Sequence, residues 1–497
     1  MHKRLSTLLI LGLSLPFMDK PIHIDDANFV AMARQAASDP WRPHAFTINW
    51  QGTSESAFQV LSNPPGIAWW LAPVADASVF WMHMWMLPWL LLAIWGASRL
   101  GKAIGAQGSA AALLLCGAPI SVIATQALTP DLPLLALTLS GFGGLLTARK
   151  RWVFALLLGS SALFRYSGLA LIPVLFLVAT DRKETFKLLT CALMPISALL
   201  VHDWMAYEEI HLLSMVGFQA VSNTGVDMAH KAVASIAALG GAAALPILCW
   251  QKPRASLLGL AMGAGIGCTA AAWAEQSGGA AMGTVFFSAA GCASLAGAIH
   301  HRDRVDRLLL CWLGIGFLFL LNLRFTASRY WIPFFAPAVL LSLRAAHPLL
   351  TRAACLLTIG LSAGLAMDDM DLAQAQRSAA GKARSVGVGH VAGHWGFQHH
   401  LESTGWTPVE DDQTIEPNAW VASSRIAWPQ QPANTCWLTD KTFPISDPRP
   451  GLRVLTYEGG ANLHGHMLAG ETPTRIFSPW GLGADPLDHL TLQRTCP

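Results

Sequence analysis

Charged side chains are scarce in this sequence: Asp, Glu, Lys and Arg make up 13% of its 497 residues, against 53% hydrophobic ones, and the mean hydropathy is +0.42. One water-soluble core of this length cannot hide that much apolar side chain, so an ordinary soluble protein is excluded and the bilayer is the expected solvent. A continuous basic face is also missing. The net charge of +3 is spread over short Lys/Arg clusters between apolar stretches, and no nucleic-acid partner is expected. There is no CxxC pair. Of the nine cysteines, Cys116, Cys191, Cys249, Cys268, Cys292, Cys311 and Cys355 lie in apolar stretches and read as small buried hydrophobes. Finally, there is no internal repeat of the kind that builds many transporters, and no low-complexity tract.

What is present is a series of apolar segments, each near the roughly 20 residues that a membrane crossing needs. They fall near 5–18, 78–98, 109–128, 132–148, 152–164, 167–180, 186–201, 232–250, 255–273, 280–299, 308–323, 331–346 and 348–366. The expected class is an all-α polytopic membrane protein of about 11–13 spans. The first segment has the basic start of a signal peptide but no small-x-small site before Asp19, and is expected to stay as a helix.

Lys3 and Arg4, Arg99 and Lys102, Arg149 to Arg151, Arg182 and Lys183, Lys252 and Arg254, Arg302 to Arg307, and Arg344 with Arg352 occupy alternate short loops. Those loops are expected on the cytoplasmic side. The loop 19–77, the turns at Asp131 and Arg165, the loop 202–231, the turn 324–330 and the tail then lie outside. Composition changes after Met367, so the expected division is a membrane domain 1–366 and an extracytoplasmic soluble domain 367–497, a small α/β unit. Cys436 and Cys496, both in the tail, can pair if that compartment is oxidising.

The chemistry-bearing residues cluster in the outside segments. Asp25 and Asp26 follow the first span directly, ahead of a helix-like run to Arg34. A carboxylate at the membrane edge can act as a general base or hold a metal against a phosphate; it can equally be a helix cap. Ser62-Asn63-Pro64-Pro65-Gly66 makes a rigid turn before an aromatic segment. Thr129-Pro130-Asp131 puts an acid at one hairpin tip, and Phe164-Arg165-Tyr166 puts a cation at the next. An acid at membrane depth is costly unless it is partnered or used. Arg165 and Arg329 each precede a Tyr at a helix end, where a guanidinium can grip phosphate oxygens or simply snorkel to the interface.

In this order the motifs resemble the GT-C glycosyltransferases related to protein O-mannosyltransferases and lipid A aminoarabinose transferases, over about residues 1–345. Asp25-Asp26-Ala27-Asn28-Phe29-Val30-Ala31-Met32-Ala33-Arg34 is similar to the Asp-Glu-x-Arg-Tyr-x-x-x-Ala-Arg pattern of the aminoarabinose branch. Asn63-Pro64-Pro65 resembles its Pro-containing turn, and Arg329-Tyr330-Trp331-Ile332-Pro333 with Pro337 resembles an element that opens a late helix. Gly393-His394-Trp395-Gly396-Phe397-Gln398 is similar to a tail motif of bacterial members. The resemblance implies a bacterial inner-membrane glycosyltransferase that takes its sugar from a polyprenyl-phosphate donor and passes it to a lipid, glycan or protein acceptor.

It also implies roles. Asp25 is the catalytic acid position, Asp26 orients it or shares a divalent metal with it, and Asp131 holds the acceptor or raises the basicity of the pair. Arg165, Tyr166, Arg329 and Tyr330 are candidates for the donor phosphate, and Asn63, Pro64 and Pro65 for the acceptor loop. Asn63 stands where the aminoarabinose branch carries a metal-binding Glu, and an amide is a poor metal ligand. His390, His394, His399 and His400 have zinc-like spacing, but Gly389, Gly393 and Gly396 interrupt any helix that would gather them. The competing expectation is a transporter or flippase of lipid-linked sugars.

Overall fold

Hydrocarbon offers the backbone no hydrogen-bond partners, so an apolar stretch must satisfy its own, and a helix does so locally. In the computed structural model the described residues of each of those stretches lie on helix, whole or broken. The structure describes residues 3–50, 52–222, 228–242, 245–248, 253–298, 303–324, 326–446, 449–456, 459–465 and 477–497. Lys252, Arg302 and Cys249, named above, lie outside them.

Among the described residues, five helices are long and apolar enough to cross a membrane: Val79–Ala103, Arg182–Tyr207, Pro253–Trp273, Gly278–Ala298 and Pro348–Ala383. A sixth results if Gly108–Cys116 and Pro119–Thr125, bent by 68° at their break, are one span. Gly117 and Pro119 account for the bend, since proline begins a new helix readily but does not continue one. The other apolar segments are shorter helices, among them Lys3–Ser14, Asp131–Leu145, Arg151–Gly159 and Ala336–Ala345.

Small residues let these helices meet closely. A Cβ at Gly96 would lie 2.4 Å from the Ser140 nitrogen, so Val79–Ala103 and Asp131–Leu145 touch backbone to backbone. Gly259, Gly263 and Gly267 form a stripe one turn apart. A Cβ on Gly263 would lie 2.4 Å from the Ser288 oxygen of the neighbouring helix Gly278–Ala298. Where lipid competes equally well for apolar side chains, such close approach is a main source of helix association.

The two ends of the bundle differ in charge. At one end Arg151 reaches Glu184 at 2.7 Å, Arg344 pairs with Asp303 and Asp306, and Arg304 donates to the Ala179 carbonyl at 2.9 Å. Loop 19–77, the turns at Asp131, Arg165 and Arg329, and the C-terminal segment gather at the other.

The helix Pro348–Ala383 continues well beyond residue 366 and carries the C-terminal segment. A five-stranded sheet packs on it, in the order Thr407–Pro408, His390–Ala392, Trp420–Ser424, Asp488–Thr495, Trp437–Ile445. The first two pairings are parallel and the last two antiparallel. Its apolar core of Val391, Phe397, Leu401, Ala422 and Leu490 includes Leu365, Leu372 and Ala379 of the long helix. Cys436 and Cys496 are joined in a disulfide across 60 residues of sequence. Removing a bond that closes a loop of this size costs about 2–4 kcal/mol. Cys496→Ala is therefore expected to speed limited proteolysis beyond residue 383 while leaving helix content unchanged; equal cleavage rates in both proteins would show the bond to be dispensable.

Candidate active site

Asp25 sits at the N-cap of the helix Asp26–Ser38, but its carboxylate caps nothing. Its main-chain carbonyl accepts from Asn28 N at 3.0 Å, as any residue's would, while its side chain pairs with Arg329. The preceding Ile24 takes a left-handed φ of 46°, a strained setting for a β-branched residue that turns the chain sharply into this helix. Asp26 points elsewhere. It is buried and accepts from Leu128 N at 2.8 Å and from His23 N at 3.4 Å, tying the first loop to the turn before Asp131. Burial drives its pKa up to about 7 against the opposing pull of Lys20 and the two amides.

Asp131, at the first turn of Asp131–Leu145, pairs with Arg165, and the Asp131 side chain is only 3% exposed. Both guanidiniums share one ring: Arg165 lies 4.6 Å and Arg329 5.7 Å from the centroid of Tyr330. The result is a row of alternating charge, Asp25, Arg329, Arg165, Asp131, with Tyr330 against its two cations. Burial opposes the charge on Arg329, but Asp25, Tyr330 and Asp131 more than offset that and hold its pKa above the ordinary value. Its Nε is buried without a hydrogen-bond partner. That leaves one donor of a rigid fork open to an acceptor.

Of the residues singled out in the sequence, Asp25, Asp131, Arg165, Arg329 and Tyr330 thus meet, with Asp26 one residue away. Tyr166 lies apart, its hydroxyl 2.8 Å from His211 Nδ1. Asn63 belongs to the same neighbouring group, its carbonyl 3.1 Å from His44 Nε2. Pro64 and Pro65 are buried and bring Gly66 against the Arg165 turn, where a Cβ would lie 2.3 Å from the Leu163 oxygen. The turn therefore props the cation rather than contacting the acids. The Asp25 carboxylate is engaged with Arg329, that of Asp26 with two backbone amides, and the Asn63 main-chain carbonyl with His44. Among the tail histidines, His390 bonds Glu416 at 2.9 Å, the His394 ring lies 5.9 Å from that of Trp50, and His399 and His400 pack edge to face.

A second group adjoins the first. Lys20 pairs with Asp369 of the long helix, and both are buried. Asp369 also lies 3.1 Å from His464 Nε2, and His23 Nδ1 lies 3.0 Å from Gln376 Oε1. Burial, with Lys20 and His464 nearby, lowers the His23 pKa to about 3 despite Asp369. Gly396 of the tail motif closes this region, since a Cβ there would lie 2.3 Å from the Ile22 oxygen. Lys20, His23, Asp26, Asp131, Arg329 and His464 line one cavity of ≈ 20 Å³, room for about one water. The sequence did carry a signal for this group: Asp368 and Asp369 directly follow an apolar run, and Gln376 is two helical turns on.

No family model matches the chain, and no curated protein matches it. Among solved structures, it is similar to a crystal structure of ArnT from Cupriavidus metallidurans bound to undecaprenyl phosphate, at 14% identity over 89% of this chain and 95% of that one, with a TM-score of 0.41. At that TM-score the likeness carries no residue or role to this chain.

The two ion pairs make a prediction of their own. Arg329→Gln leaves the Asp25 carboxylate partly buried without its counter-charge, which is expected to cost about 2–4 kcal/mol. Adding Asp25→Asn removes the stranded charge and should recover most of the loss in thermal melts of the detergent-solubilised protein. Strictly additive losses would mean that the two side chains are not coupled.

Proposed function

We propose that the chain is a membrane glycosyltransferase that moves a sugar from a polyprenyl-phosphate donor to an acceptor on the extracytoplasmic face of a bacterial inner membrane. The observation that carries this reading is the pair of ion pairs, Asp25–Arg329 and Asp131–Arg165, assembled on Tyr330 at one end of an apolar helical bundle. A lipid phosphate needs a cation at the edge of the bilayer, and the attacking acceptor needs a base beside the reacting carbon. Here both are present, and each neutralises the other until a substrate arrives.

In this reading the donor phosphate binds Arg329, whose Nε has no partner, and Arg165 beside it. The phosphate then competes with Asp25 for the guanidinium and frees the Asp25 carboxylate. Asp25 takes the proton of the acceptor hydroxyl or amine, and the acceptor heteroatom forms a bond to the anomeric carbon. The bond from that carbon to the phosphate oxygen breaks, and the lipid phosphate leaves with the electron pair, held by the two arginines. A direct displacement of this kind inverts the anomeric centre. Asp131 fixes Arg165, and Asp26, engaged with two backbone amides, fixes the turn that presents Asp25.

Charge supports this orientation: with the end bearing Arg99, Arg151, Arg182, Arg304 and Arg344 in the cytoplasm, the disulfide lies in an oxidising compartment. Residues 1–366 are the membrane part and 367–497 the extracytoplasmic part, with the long helix running through the boundary.

The test is transfer of radiolabelled sugar from a pool of polyprenyl-phosphate sugars in membranes holding equal amounts of wild type or Asp25→Asn. Loss of a base is expected to slow transfer by about 10²-fold or more, and fractionation of the product assigns the acceptor to lipid, glycan or protein. Equal transfer by both proteins removes Asp25 from its role. No transfer by the wild type, with labelled lipid instead appearing on the far side of sealed vesicles, would replace the enzyme with a flippase.

A further inference from the structure

We propose that His23, Asp369 and His464 bind one divalent transition-metal ion of the zinc class, with an open coordination position facing the cavity beside the ion pairs. The three residues come from the first loop, the long helix and the C-terminal segment, and their ligand atoms lie within 4.8 Å of one another. Two imidazoles and a carboxylate form an N/O donor set suited to zinc, and three protein ligands are the number that leaves a position for water or substrate.

The second observation concerns the proton on His23. With Gln376 Oε1 assigned 3.0 Å from Nδ1, the amide favours the tautomer protonated on Nδ1, which turns the Nε2 lone pair toward Asp369. That Nε2 is fully buried without a hydrogen-bond partner and points at Asp369 Oδ1, 3.9 Å away. Two acceptors face each other across a gap too long for a hydrogen bond, and a cation between them resolves the conflict. The outer contacts also suit a metal: Gln376 holds the ring of His23, and Lys20 holds the other oxygen of Asp369, as supporting groups do around metal ligands. His464, with 12% of its side chain exposed, gives the ion a way in.

Charge then says what fills the open position. Lys20 already balances Asp369, so a divalent ion leaves the ligand group positive and calls for an anion on the cavity side. A phosphate oxygen of the donor meets that need. This last step rests on the glycosyl-transfer reading, whereas metal binding itself does not.

The experiment uses the full-length protein in detergent, stripped with chelator and titrated with zinc ion alone, with bound metal measured by mass spectrometry and calorimetry. The expected result is about one equivalent in the wild type and in His399→Ala, and none in His464→Ala or His23→Gln. Gln376→Leu should weaken binding by about 10- to 100-fold. Zinc should also raise the melting temperature of the wild type but not of His464→Ala, which identifies a variant that has merely unfolded. Zinc uptake that is absent from the wild type, or the same in the His464→Ala protein, overturns the site. Sugar transfer without zinc uptake would overturn the site and spare the enzyme; zinc uptake without transfer would support the site and count against the enzyme.

Discussion

The buried pairing of Lys20 with Asp369 is the constraint on which the rest of this end of the molecule depends. Neither charge has water to fall back on, since their side chains are 2% and 0% exposed, and a lone charge there would be far more costly than the pair. The pair therefore fixes the distance between the first loop and the long helix. Asp368, next in the chain, grips the C-terminal segment instead, accepting from Arg453 at 2.9 Å and from Val454 N at 2.7 Å. Two adjacent acids on one helix thus hold the loop that bears Asp25 on one side and the C-terminal segment around Arg453 on the other. The position of Asp25 relative to Arg329 is set from outside the helical bundle as much as from within it.

Much of this was legible in the sequence, and for a physical reason. Hydrocarbon demands long apolar runs, so the helices announce themselves by composition, and each charge that survives at their ends stands out against a sparse background. Asp131, Arg165, Arg329 and Tyr330 were visible on that ground and do meet. The pairing within the adjoining group was not, because the Lys20–Asp369 contact joins residues 349 apart and, although Asp369 stands out after its apolar run, nothing local to either residue names the other. The hydropathy of the last span also fades at residue 366, which hid the continuation of that helix to Ala383. Nor does composition reveal which small residues are contacts: Gly259, Gly263 and Gly267 lie in an Ala- and Gly-rich stretch, and only the neighbouring helix shows them to be a packing face.

The stripe of glycines and the ion pairs solve different halves of one problem. In the middle of the bundle, side chains gain little by leaving lipid for one another, so helices associate by fitting backbones together. At the end that holds the acids, the chain meets water and head groups. There it can use strong, directional contacts, but only by burying charges that must be matched. Tyr166, His211, His44 and Asn63 extend that polar layer sideways under the first loop through a run of hydrogen bonds, from Tyr166 to His211 at 2.8 Å and from His211 to the Leu61 carbonyl at 2.9 Å. Their place is to hold the Pro64-Pro65 turn against the Arg165 turn, which explains why a motif that resembles an acceptor loop sits behind the site and not in it.

Burying matched charges has a further consequence. A salt bridge shielded from water is seldom worth more to stability than apolar groups of the same shape, so four charged residues in a row are a poor way to fasten helices. They are, however, a good way to store a cation and a base side by side without leaving either unpaired. An anionic ligand that takes the guanidinium releases the carboxylate, and in the glycosyl-transfer reading proposed above the acceptor and the departing phosphate replace each partner in turn. The cavity beside these pairs, with room for about one water, fits that reading, since little solvent can stand next to them.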